Sequence, residues 1–218
     1  MLISEEEKAM LKLVVEECQI QSHMGYHNVK DAVQTYYPSC RFCQKLGTAT
    51  VSSGVTKYCM VFTNFPWVIK WARPRRTDEP MREVKIYAEA EKENLGQFFP
   101  RTEFLCKIND ISFVIQEKID FPAYSIPVHE WKKYEKITRT VKTEIANKIE
   151  KEFYKVSGYR RPLNTMWAKM AISLYGKRTC KSLCQFVVKF DINDLHEANI
   201  GYKEHRPVIL DFSGFHDT

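Results

Sequence analysis

Apolar residues Met10, Leu11, Val14, Val15 and Cys18 recur at helical spacing, and Ser4 stands three residues before Glu7. That pattern predicts a capped amphipathic helix over residues 4–20. A second short helix is expected from Val29 to Tyr37, ending before Pro38. From Phe42 to Lys70 the pattern changes to short runs rich in Val, Thr, Tyr and Phe with Gly and Asn between them, the mark of antiparallel strands. Met81–Lys92 alternates acids and bases around Val84, Ile86, Tyr87 and Ala90, as a surface helix does. Strands Thr102–Ile108 and Ile111–Ile115 flank an Asn109-Asp110 turn. From Pro127 the stripe Trp131, Tyr134, Ile137, Val141, Ile145, Ile149 and Phe153 predicts one long helix. Gly158, Pro162 and the cap candidate Asn164 break the chain, and Met166, Met170, Leu174, Leu183 and Val187 predict another helix from about Thr165 to Val188. Ile200–Tyr202 and Val208–Leu210 read as two short strands joined by a polar turn at Lys203–Arg206. The fold class expected is α+β.

Composition narrows this little. With 218 residues, 44% hydrophobic and 13% aromatic, the chain can bury one good core or two small lobes. No apolar run reaches the roughly 18 residues of a membrane span, and the opening M-L-I-S-E-E-E-K is too acidic for a signal or transit peptide. A cytoplasmic location and no membrane partner are therefore expected. Seven cysteines without framework spacing fit reduced thiols. Cys40-x-x-Cys43 with Cys180-x-x-x-Cys184 is the one candidate zinc set. The net charge of +6 is concentrated in Lys70–Arg76 and Arg139–Lys181, read either as solvated faces or as a surface for an acidic partner or nucleic acid. Arg160 and Arg161 belong to the second cluster.

The chemistry lies in Asp194–Asp211, D-L-H-E-A-N-I-G-Y-K-E-H-R-P-V-I-L-D, followed by Phe212, Ser213 and Gly214. An aspartate, an asparagine five residues on, a short hairpin and a second aspartate suit phosphoryl transfer. Asp194 can orient or deprotonate a hydroxyl, and Asn199 and Asp211 offer hard oxygen ligands to Mg²⁺ on nucleotide phosphates.

This segment resembles the protein-kinase catalytic loop and D-F-G segment, with Ile192-Asn193-Asp194 in place of H-R-D and D-F-S-G in place of D-F-G. His196 stands where many protein kinases carry a lysine that touches the transferred phosphate. Upstream, Leu46–Gly54 occupies the position of a glycine-rich phosphate loop, with Gly47, Ser52 and Gly54 as candidate contacts. Trp67-Val68-Ile69-Lys70 resembles V-A-I-K. Glu83 takes the register of the helix glutamate that pairs with that lysine, with Glu89 as a substitute. Gln116–Asp120 falls where a kinase hinge meets adenine, with Glu117 and Ile119 as candidate backbone contacts.

The likeness covers roughly residues 42–214. It implies a two-lobed kinase-like fold with an N-terminal helical extension at 1–38, an antiparallel-sheet N-lobe at 39–120 and a truncated helical C-lobe at 121–218. With few residues after Gly214, no activation loop is expected, and the arrangement resembles the early protein kinases of short-tailed lytic bacteriophages. Bacterial effector kinases lacking an activation loop are a second likeness. Those resemblances imply ATP and Mg²⁺ as cofactors, Ser or Thr of protein substrates as acceptors, and host proteins of transcription or RNA processing as partners. Two other classes remain open: a pseudokinase or binding module, and a small-molecule phosphotransferase of the aminoglycoside or choline type, in which the form D-L-H-x-x-N also occurs.

Overall fold

The structure, a computed structural model, describes residues 3–20, 26–54, 56–73, 79–157 and 165–213. It is a mixed α+β protein whose chain divides into two compact units. One is Met1–Val84 with Arg101–Lys118; the other is Lys85–Pro100 with Ile119–Thr218.

In the first unit the opening helix α1 (Glu5–Glu17) starts with the expected capping box. Glu7 N–H donates to Ser4 Oγ at 3.1 Å, and Ser4 N–H donates to Glu7 Oε2 at 2.8 Å. These bonds satisfy two of the donors that a helix N-terminus leaves open. Helix α2 (Tyr26–Tyr36) gives way to a 3-10 turn at Tyr37–Ser39, where Pro38 is accepted, and α3 (Cys43–Leu46) follows. Five antiparallel strands, β1 (Ala49–Ser53), β2 (Lys57–Phe62), β3 (Trp67–Ala72), β4 (Thr102–Ile108) and β5 (Ile111–Glu117), form a sheet in the order β1-β2-β3-β5-β4.

The pairings Tyr58↔Trp71, Met60↔Ile69, Ile69↔Ile115 and Trp71↔Phe113 put those side chains on one face, where they share a core with Leu11, Val14 and Val15 of α1. Because side chains alternate across a strand, Lys57, Cys59, Lys70, Val114 and Gln116 fall on the opposite face. The β4–β5 turn is tight, with Asn109 and Asp110 both at positive φ, the conformation of a two-residue hairpin that follows the strand twist. Helix α4 (Glu79–Lys92) begins in this unit, and the division between units falls within it, after Val84.

The second unit packs α5 (Val128–Thr138), α6 (Thr143–Ser157) and α7 (Thr165–Lys189) with a small sheet ordered β6-β7-β8 (Phe121–Pro122, Ile200–Lys203, Arg206–Ile209). Tyr134 stacks on Tyr202 with centroids 4.8 Å apart, and Trp167 Nε1 donates to Val208 O at 3.2 Å, fixing β7 and β8 against α5 and α7. Gly201 permits a close strand approach, since a Cβ there would lie 2.8 Å from Phe121 O.

Two expectations are corrected. The stripe from Trp131 to Phe153 is two helices, separated at residues 139–142, and not one. Ile137, Thr138, Thr140 and Val141 are β-branched and hold a helix poorly, and the Thr138 hydroxyl bonds back to Tyr134 O at 2.8 Å. Likewise α7 is not one continuous helix: Gly176, at φ 78° and ψ 162°, interrupts it in a region that only glycine readily enters. Gly158, Arg160, Arg161, Pro162, Asn164 and Gly214 lie outside the described residues.

No disulfide joins the seven cysteines, and burial pushes the thiols of Cys18, Cys180 and Cys184 up to about 12. Among the described residues no group of three or more His, Cys, Asp or Glu is placed to hold a metal ion. No helix among those residues is long and apolar enough to cross a membrane.

Buried Glu150 in α6 gives a pH prediction. Its carboxyl pKa is raised, first by desolvation, against the lowering effect of a bond from the Thr165 hydroxyl at 3.3 Å. A raised carboxyl pKa means that the folded chain binds the proton more tightly than the unfolded chain. Its stabilising contribution is present below the unfolded value and lost as pH rises through the folded one. Glu150→Gln cannot ionise, so its urea midpoint should gain on the wild type as pH climbs from about 4 to 7.

Candidate active site

Lys70 is the fourth residue of β3, and its side chain leaves the sheet on the face opposite the aromatic core. Its Nζ donates to both oxygens of Glu83, at 2.8 Å to Oε2 and 3.0 Å to Oε1. Glu83 has no solvent exposure and Lys70 only 7%. The expected pair is present, and it is Glu83 and not Glu89 that makes it: Glu89 lies on another side of α4 and bonds Lys92 at 2.6 Å.

Four further buried polar residues complete the arrangement. Lys57 Nζ on β2 stands 3.0 Å from Glu83 Oε1 and 3.7 Å from Glu79 Oε2. Gln116 Oε1 on β5 accepts from Lys70 at 3.3 Å, while its Nε2 donates to Thr102 Oγ1 on β4 at 3.0 Å. A polar line thus crosses β2, β3, β5 and β4 on one face of the sheet.

Sequence reasoning missed Lys57, Glu79 and Gln116 as members of this set. The signals were there in part. Lys57 is in phase with Cys59, which pairs with Lys70, and Glu79 precedes Glu83 by one helical turn.

The candidate phosphate-loop residues are not brought together. Gly47 caps α3 and Gly54 follows β1, so a five-residue strand, on the order of 17 Å long, separates them. Gly47 is needed where it is for a structural reason: its φ is +75°, and a Cβ would meet Thr63 Oγ1 at 2.1 Å. Ser52 and Gly54 are exposed beside the β1–β2 connection, and Gly54 N–H donates to Lys57 O at 2.9 Å.

The hinge residues are also more tightly used than expected. Gln116 and Glu117 are still in β5; Glu117 N–H donates to Arg101 O at 2.8 Å and Lys118 N–H to Pro66 O at 2.7 Å. The ladder takes the Glu117 donor that adenine recognition would need. Ile119 belongs to the second unit, with Cδ1 beside Gly201.

In that unit the loop Asp194–Asn199 is closed by one side chain. Asn199 Nδ2 donates to Asp194 O at 2.9 Å and to Asp194 Oδ2 at 3.0 Å, and Asn199 N–H donates to His196 O at 2.8 Å. His196 Nδ1 accepts from Ala198 N–H at 3.2 Å. In the neutral ring the proton is therefore on Nε2, which lies 3.5 Å from Asp194 Oδ1. The carboxylate is partly exposed, oriented at one oxygen by Asn199 and faced at the other by His196.

The hairpin then brings the remaining aspartate back. Ile200 pairs with Ile209, and Leu210 N–H donates to Asn199 O at 2.8 Å, so Asn199 and Asp211 stand at the same open end of β7–β8. Ser213 Oγ donates to Asp211 Oδ1 at 3.3 Å. Leu195, Ile200 and Phe212, all buried, anchor the loop from beneath. An amide oxygen and a carboxylate on one hairpin end fit Mg²⁺, which takes few protein ligands and completes its shell with water and phosphate.

No protein-family model matches the chain, and no curated protein matches it.

The Glu83 carboxylate gives the prediction here. Glu83→Gln leaves two buried ammonium groups facing a neutral amide, and removing one member of a buried ion pair typically costs about 3–5 kcal/mol. Equilibrium urea denaturation should show a loss of that size, against a negligible change for Glu89→Gln on the exposed side of the same helix.

Proposed function

We propose that this chain is an ATP-dependent phosphotransferase with a minimal protein-kinase-like fold, acting on Ser or Thr hydroxyls of protein substrates. The observation that carries the reading is the buried Lys70–Glu83 pair, made between a central strand and the helix that follows it. Ion pairs of this burial are costly to build, which favours a role in placing an ammonium group for an anionic ligand. The closed Asp194–Asn199 loop and the hairpin that returns Asp211 support the same chemistry from the second unit.

Each residue then has a distinct task. Lys70, held by Glu83, neutralises charge on the ATP phosphates. Asp194 accepts the hydrogen bond of the acceptor hydroxyl and takes its proton as the new P–O bond forms and the bond to the ADP oxygen breaks. Asn199 fixes the carboxylate that does this. Asn199 Oδ1 and Asp211 would hold Mg²⁺, which when bound supplies positive charge against the phosphate oxygens. The transition state is loose, so positioning and charge neutralisation account for most of the acceleration.

The resemblance to early phage kinases supports host proteins of transcription or RNA processing as substrates, met in the host cytoplasm. A second reading, a pseudokinase or binding module with little catalysis, is favoured by the separation of Gly47 from Gly54 and by the occupied Glu117 N–H. The small-molecule phosphotransferase of the aminoglycoside or choline type has no comparable observation on its side.

Incubating wild type and Asp194→Asn with labelled ATP, Mg²⁺ and a bacterial lysate separates these readings. Asp194→Asn should transfer label at least about 1,000-fold more slowly while binding ATP within about threefold of wild type. Lys70→Met should lower kcat/KM for ATP about 100-fold or more. ATP binding with no labelled protein from wild type selects the binding module; label on a small alcohol but never on protein selects the third class; equal label from Asp194→Asn removes Asp194 from the chemistry.

A further inference from the structure

Glu83 has two oxygens and faces two ammonium groups. Lys70 donates to both oxygens, and Lys57 donates to Oε1 at 3.0 Å and also stands 3.7 Å from Glu79 Oε2. The two lysines come from neighbouring strands and share a face of the sheet. Cys59 pairs with Lys70, and Lys57 is two residues before Cys59, so the lysines are diagonal neighbours with the carboxylate of α4 between them. Lys57 is 4% exposed, less than Lys70. A lysine head buried to that degree is held by what it faces, because an ammonium group removed from water without compensation is strongly disfavoured.

We propose that Lys57 is a positioning residue for Lys70, acting through Glu83. This rests on the phosphotransferase reading above. Two consequences of the geometry carry it. Lys57 fixes Oε1 from the β2 side, so the Glu83 carboxylate cannot rotate away from the plane in which both of its oxygens meet Lys70. Lys57 also offsets Glu79. Without it, one ammonium fewer stands beside Glu83 and Glu79, and the local field that attracts a phosphate is weakened. The effect therefore falls on the affinity for ATP and not on the proton transfer at Asp194. A polyphosphate is the ligand class this arrangement favours, since the field of the Lys57–Lys70 pair acts on several negative charges at once.

The test is a double-mutant cycle on ATP affinity and steady-state kinetics with wild type, Lys57→Met, Lys57→Arg, Lys70→Met and Lys57→Met in the Lys70→Met background. Lys57→Met should raise both Kd and KM for ATP about tenfold with kcat within about twofold of wild type. Lys57→Arg, which keeps the charge, should recover most of that loss. In the Lys70→Met background Lys57→Met should add nothing, because its effect passes through Lys70. If Lys57→Met fails to fold, Lys57→Met/Glu79→Gln restores the charge balance and should still weaken ATP binding through the loss of the hold on Oε1. Unchanged ATP affinity with a lowered melting temperature would reduce Lys57 to a structural lysine and overturn the proposal. A full additional loss in the Lys70→Met background would overturn it in another way, by making Lys57 a direct phosphate ligand. A folded wild type that binds no ATP would fail the phosphotransferase reading and this proposal together, whereas an ATP-binding wild type indifferent to Lys57→Met removes only the role given to Lys57.

Discussion

A carboxylate with no solvent contact constrains the first unit. Two ammonium groups from two strands meet Glu83 inside the protein, and Glu79 and Gln116 add further partners for Lys57 and Lys70. This set of contacts fixes the start of α4 over β2 and β3. It also dictates the other face of the sheet: once Lys57, Lys70 and Gln116 take the polar side, the alternation of each strand sends Met60, Ile69, Trp71 and Ile115 to the side covered by α1. A single-residue slip of β2 against β3 would exchange the two faces, so the ion pairs and the apolar core select the same register.

The second unit achieves precision by other means. Its candidate loop is closed by the Asn199 amide, and its hairpin is forced to return by a two-residue turn in which Glu204 and His205 both have positive φ. Neither residue is glycine, and left-handed conformations cost L-residues roughly 1–2 kcal/mol each. The turn is held from outside: Glu204 N–H donates to Asp120 Oδ2 at 2.6 Å, and His205 lies edge-on to Tyr134 with centroids 5.6 Å apart. The stacked Tyr134 and Tyr202 and the bond from Trp167 to Val208 O complete the support. Asn199 and Asp211 thus sit on a short hairpin braced along its length, which suits the cation-holding role proposed for them.

Much of this was legible in the residues. Ser4 and Glu7 announced a cap, Asn109-Asp110 a tight turn, and the order of Lys70, Glu83, Asp194, Asn199 and Asp211 a set of groups worth joining; the Lys70–Glu83 and Asp194–Asn199 contacts are both made. What misled was local likeness without three-dimensional context. Gly47 reads as a loop glycine until Thr63 is found where its Cβ would be, and Glu117 reads as a free backbone contact until Arg101 O is found to accept its N–H. A continuous apolar stripe from Trp131 to Phe153 conceals a helix break, because residues on either side of a short turn can still face one core.

By itself the sequence determined the element types and the candidate groups, since helix caps, strand alternation and turn chemistry depend on neighbours a few residues apart. Only the tertiary structure decided that Lys57 joins Lys70 on one carboxylate, that Glu83 and not Glu89 is that carboxylate, and that Asn199 and Asp211 share a hairpin end. Those outcomes depend on strand register and helix rotation. Both are fixed by long-range burial, which matches partners far apart in the chain and leaves no mark at any one position.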